Sequence, residues 1–79
     1  MPKIRASLVV EKSNQYIIEI WGDLAKNRVR ALYLKKKCLY IAVLSSVISQ
    51  EMGFHEKKLI AQINDFFKQE VVDRVRFLS

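Results

Sequence analysis

The chain contains a single cysteine and a single histidine, and these scarcities exclude whole classes of chemistry. Cys38 has no partner for an internal disulfide, and one imidazole, His55, gives no cluster at metal-ligand spacing. Both are read as structural side chains, and no metal or cofactor is expected. With two glycines and one proline the sequence has few flexible segments, and its balance of apolar and charged residues is that of an ordinary folded domain. The longest apolar run, Leu39 to Leu44, is far short of the roughly 20 residues that span a bilayer. The N-terminus lacks the apolar core of a signal peptide. The expectation is a cytoplasmic protein without membrane contact.

Acidic residues are missing from Leu24 through Gln50, while six cations fall there: Lys26, Arg28, Arg30, Lys35, Lys36 and Lys37. The net charge of +6 is therefore concentrated in one part of the chain. Such a region attracts a polyanion, although short lysine turns also serve solubility. Seventy-nine residues make one domain, here taken as 1–79 with residues 1–12 poorly defined. A chain this short has little room for a deep substrate pocket. No paired catalytic groups, metal spacing or phosphate loop is found, so an enzyme is not expected.

Ser13 and Asn14 are good helix N-caps, and Ile17, Ile20, Trp21 and Leu24 share one helical face, predicting a helix over about 14–26 with Trp21 as a core anchor. From Arg28 the period becomes two. A hairpin turning at Lys36-Lys37 puts Leu34 opposite Leu39 and Leu32 opposite Ile41 on one face, with Tyr33 opposite Tyr40 on the other. The turn lacks the Asn-Gly that a two-residue loop prefers, and a slip of one residue would exchange the faces. A long helix follows, over about 46–68, with Ile48, Met52, His55, Leu59, Ile63 and Phe66 on one stripe and Phe67 beside it. Gly53 lies inside it and marks a kink or a close contact. The chain closes on a third strand in VVDRVRFL, with Val71, Asp73, Val75 and Phe77 facing one way and Val72, Arg74, Arg76 and Leu78 the other.

Ser45-Ser46 stands where the second strand meets the long helix, the place of a hydrolase nucleophile. A nucleophile elbow needs small residues two positions either side of the serine. Val43 and Val47 flank Ser45, and Leu44 and Ile48 flank Ser46, so the pair is read as a helix cap.

With W-G at 21–22, LYL at 32–34, LYIAVLSSVISQEM at 39–52, LIAQIN at 59–64 and VVDRVRF at 71–77, residues 14–78 resemble the DciA family of bacterial replicative-helicase operators. The most specific element is the run from Leu39 to Met52, including Ser45, Ser46 and Glu51. Two departures stand out: the connection from Trp21 to Arg28 is shorter than usual and lacks a hydrophobic-Gly step, and the unstructured extension of many longer members is not expected here. The expectation is a partner surface on the domain itself. The resemblance implies an α+β, KH-like two-layer domain of order helix-strand-strand-long helix-strand, with a three-stranded sheet covered by helices on one face. It does not supply the KH clamp, because no GxxG tetrapeptide exists in the sequence.

The resemblance implies a non-enzymatic replication accessory module whose partner is the replicative DNA helicase, with single-stranded DNA as a second ligand. The alternatives are a general RNA- or DNA-binding module, or an interaction domain that forms a homodimer through the uncovered sheet face, where Val29, Ala31, Ala42 and Leu44 join the tyrosines. The candidate nucleic-acid-binding residues are Tyr33, Lys35, Lys36, Lys37, Tyr40, Arg74 and Arg76: cations for phosphates beside rings for bases. Against this stands a solvated strand whose tyrosines simply pack on each other. Trp21, Arg28 and Arg30 are the candidate partner-binding residues.

Overall fold

In the computed structural model, residues 3–78 are described. Helix α1 spans Ala6–Trp21 and is followed by a short 3-10 turn, Gly22–Leu24. Strands β1 (Val29–Lys35) and β2 (Cys38–Val43) form a hairpin. Helices α2 (Ser46–Gly53) and α3 (Glu56–Phe67) lead to β3 (Arg74–Leu78). The sheet order is β1-β2-β3, with β1 antiparallel and β3 parallel to β2. The parallel pair needs a crossover connection, which α2 and α3 supply.

The first helix starts about two turns earlier than its cap signal implied. Ser13 is buried within it, and its Oγ donates to the Val9 carbonyl at 2.6 Å. A hydroxyl returned to the carbonyl one turn back is satisfied inside a helix, which is why a good cap residue need not mark a boundary. The helix buries Val9, Ser13 and Ile17. It ends at Gly22, whose φ of 61° and ψ of −138° suit glycine and whose N–H reaches the Ile18 carbonyl. Beyond it Leu24 is exposed, and Ala25 takes the buried place in the 22–28 connection.

The hairpin pairs Leu34 with Leu39 and Tyr33 with Tyr40, but Ala31, not Leu32, lies opposite Ile41. An irregularity between Ala31 and Tyr33 inserts one residue into β1. Such a bulge leaves the tip in register while exchanging faces beyond it. Val29 and Ala31 therefore join the core with Leu39, Ile41 and Val43, while Leu32 is exposed. Of the four apolar residues expected beside the tyrosines on the outer face, Val29 and Ala31 are buried, and Ala42 and Leu44 remain there.

The expected long helix is two helices, broken at Phe54-His55 directly after Gly53. A side chain at Gly53 would meet nothing within 4 Å, so no close contact requires the glycine, and the helix ends there. Ile48, Met52, Leu59 and Ile63 are buried as the stripe implied. Each contributes on the order of 1.5–3 kcal/mol. His55 is exposed at the break. Phe66 is half exposed, with the Lys12 ammonium 4.2 Å from its ring centre. Trp21 is half-buried at the margin of the core, edge-on to His55 at 6.0 Å, rather than a central anchor.

The third strand begins at Arg74, and Val72 is wholly buried before it. Asn64 fixes this approach: its Nδ2 donates to the Val72 carbonyl at 2.8 Å, and its Oδ1 accepts from the N–H groups of Val71 and Val72. Val75 and Phe77 then pack toward the helices, and Arg74, Arg76 and Leu78 are left on the open face.

Candidate nucleic-acid and partner surfaces

Strand register arranges the open face in three rows. At the hairpin tip Lys35 pairs with Cys38 and Cys38 with Arg74. Next come Tyr33, Tyr40 and Arg76, then Arg30, Ala42 and Leu78. The seven candidate nucleic-acid residues thus fall into the first two rows and the turn beyond them. Lys35, Lys36, Cys38, Tyr40, Arg74 and Arg76 line a shallow depression of about 450 Å³. Cys38 is buried at its base as a free thiol.

The tyrosines do pack on each other, with ring centres 4.6 Å apart and planes inclined by 26°. Rings that face one another leave their opposite faces outward, and Tyr33 on the edge strand is still 47% exposed. Tyr40 has Arg76 as its neighbour on the other side. Lys37 stands 3.4 Å from Glu70, and the Arg74 Nε is 3.7 Å from Asp73. Both pairs are solvent-exposed, so each holds its cation only weakly.

The turn itself is strained. Lys36 and Lys37 adopt φ of 50° and 64°, the left-handed region in which Asn and Gly are at ease. These angles are those of the turn that matches the twist of a two-residue hairpin. Two lysines hold it at a cost of order 1 kcal/mol or more each. The Lys37 carbonyl accepts the Asp73 N–H at 2.9 Å, which fastens the tip to the start of β3.

The partner candidates do not form one site. Arg28 and Arg30 line a groove of about 790 Å³ at the far end of the sheet, where Lys26 joins them and Ile18, Leu44 and Leu78 supply apolar wall. Trp21 is not among the lining residues. Nothing in the sequence marks Ile18 or Leu78 for such a groove; the one available signal is the stretch without acids from Leu24 to Gln50, which holds Lys26, Arg28, Arg30 and Leu44.

Ser45 accepts the Val47 N–H at 3.1 Å and is the N-cap of α2, while Ser46 is the exposed first residue of the helix. Of the pair, Ser45 is the one that caps the helix. Among the described residues no group of His, Cys, Asp and Glu is placed to hold a metal ion, and no helix is long and apolar enough to cross a membrane.

No curated protein and no solved structure matches the chain. A family model does, over residues 3–77, and its description is "Dna[CI] antecedent, DciA". That match takes in α1, the hairpin, both later helices and nearly all of β3, and the chain therefore belongs to the DciA family.

Proposed function

We propose that this domain is a cytoplasmic, non-enzymatic accessory module of DNA replication that contacts the replicative helicase and holds single-stranded DNA on the open face of its sheet. Membership of the DciA family associates the chain with DNA replication and helicase loading. The observation that supports the DNA half is the row of Tyr33, Tyr40 and Arg76 beside the row of Lys35, Cys38 and Arg74, capped by Lys36 and Lys37. Phosphates take the cations, and a base extends the tyrosine stack on the outward face of Tyr33. Stacking of this kind is worth about 1–3 kcal/mol per base and tolerates any sequence.

The likeness to KH domains is kept at the level of a sheet with helices on one side. The turn between α2 and α3 reads Gly53-Phe54-His55-Glu56, so the second glycine of a phosphate clamp is missing. For that reason DNA is assigned to the sheet and not to this turn. A general nucleic-acid module would use the same face. The two readings separate in a pull-down from the host lysate with and without nuclease: recovery of the replicative helicase after nuclease treatment supports the accessory role. Loss of the helicase with the nucleic acid would leave a general nucleic-acid binder. A labelled single-stranded oligonucleotide tests the face itself, and no binding at low salt removes DNA from the proposal.

A further inference from the structure

The groove at the far end of the sheet has a different chemistry from the tyrosine face. Three aliphatic side chains from three separate elements converge on it: Ile18 from α1, Leu44 from the β2–α2 junction and Leu78 from β3, exposed by 44%, 79% and 38%. Exposed apolar groups brought together in one depression are the usual mark of a partner site. Lys26, Arg28 and Arg30 also line the groove, and none of its lining residues is acidic. No aromatic ring lines it either, so it offers bases nothing on which to stack. A single-stranded nucleic acid would meet cations there but bury leucine and isoleucine against no complementary surface.

The manner of docking is constrained as well. Asn14 lines the same groove, and its side-chain amide takes both backbone hydrogen-bonding groups of Ala31 on the outer edge of β1. A partner strand cannot add to the sheet at that point, because the N–H and C=O it would need are occupied. What remains is recognition by side chains: apolar groups one helical turn apart seated on Ile18, Leu44 and Leu78, with carboxylates beside the three cations.

We infer that this groove is a protein-docking site for an acidic amphipathic helix, and that the helix belongs to the replicative helicase. The identity of this partner rests on the helicase contact proposed above. Two surfaces of the same charge are thereby divided between two ligands: the tyrosine-bearing tip for single-stranded DNA and the aliphatic base for an acidic protein helix.

The test uses the whole chain and the purified replicative helicase of the same source. Arg28→Glu with Arg30→Glu, and separately Leu44→Asp, should each weaken helicase binding by at least about tenfold, because one reverses the charge complementarity and the other places a carboxylate on the apolar wall. All three side chains are exposed, so the variants should fold, which circular dichroism verifies. Replacing Lys35, Lys36 and Lys37 together by glutamine should leave helicase binding within about twofold, since these residues line no part of the groove. A photo-crosslinking residue at position 44 should capture a helicase peptide rich in Asp and Glu with apolar residues at helical spacing. Unchanged binding by folded Arg28 and Leu44 variants, or capture of a neutral or basic peptide, overturns the inference while leaving the helicase contact standing. If the wild-type chain does not bind the helicase at all, the helicase contact fails and this assignment fails with it. If the Arg28→Glu, Arg30→Glu variant loses oligonucleotide affinity but keeps the helicase, the groove belongs to nucleic acid and the inference is wrong.

Discussion

The side chain of Asn14 closes the edge of the sheet at Ala31: its Oδ1 accepts the Ala31 N–H at 2.8 Å and its Nδ2 donates to the Ala31 carbonyl at 3.2 Å. One amide thus does for the edge what a further strand would do. An edge strand with free backbone groups is a template for self-association. Asn14→Ala should therefore lower stability by about 1–3 kcal/mol, because two partly buried backbone groups lose their partner. It should also raise concentration-dependent association above that of the wild type, as seen by sedimentation. A monomeric variant of unchanged stability would show that the amide is dispensable.

Ser45 and Ser46 should separate cleanly. Ser45→Ala removes the acceptor for the Val47 N–H and should lower stability by about 1 kcal/mol. Ser46→Ala, on the exposed face of the first turn, should change it by no more than about 0.5 kcal/mol. Neither should alter oligonucleotide or helicase affinity below the melting temperature. A folded Ser45→Ala protein without binding would sink the structural reading of the pair.

How much of this was legible in the sequence depends on whether local chemistry or a tertiary partner decided the outcome. The lysine turn, the pairing of Tyr33 with Tyr40 and the burial of Leu39 and Ile41 follow from a period of two on either side of the tip. The bulge after Ala31 does not, because Ala31 and Leu32 are both apolar and either could have faced inward. Ser13 and Asn14 misled for a similar reason. Their hydroxyl and amide are what a cap needs, but the partners they find are a carbonyl one turn back and the edge of a strand seventeen residues on. Arg74 and Arg76 could be placed beside Tyr33 and Tyr40 from alternation, and Lys35, Lys36 and Lys37 at the tip from the turn, whereas the groove walled by Ile18, Leu44 and Leu78 required the three elements to be assembled first.

Lys36 and Lys37 offer a way to separate stability from binding. Replacing them by Asn and Gly supplies the residues that the left-handed backbone prefers, and should stabilise the domain by about 1 kcal/mol. The same change removes two cations from the hairpin tip. Oligonucleotide binding should weaken, and the salt dependence should flatten by about 0.7 per lost phosphate contact. A more stable variant with weaker binding is the outcome that ties the strained lysines to function. A stabilised variant that binds as tightly as the wild type would leave them a solubility feature.

The tyrosine stack gives the complementary test, because aromatic contact is not ionic. Tyr33→Ala removes the outward ring face and should reduce oligonucleotide affinity by about 1–3 kcal/mol while leaving the salt slope unchanged. Some loss of stability accompanies it, since the ring also packs on Tyr40 at 4.6 Å; a cross-strand pair of this kind contributes about 0.2–1 kcal/mol. Tyr33→Phe separates the two effects, as it keeps the ring and removes only the hydroxyl, and it should bind nearly as the wild type does. The sharper comparison is with a threefold change of Lys35, Lys36 and Lys37 to glutamine, which should flatten the slope and leave the salt-independent part of the affinity intact. If Tyr33→Ala and the lysine variant instead change slope and affinity in the same proportion, the tyrosines act only through the fold. The open face is then an electrostatic surface without base stacking.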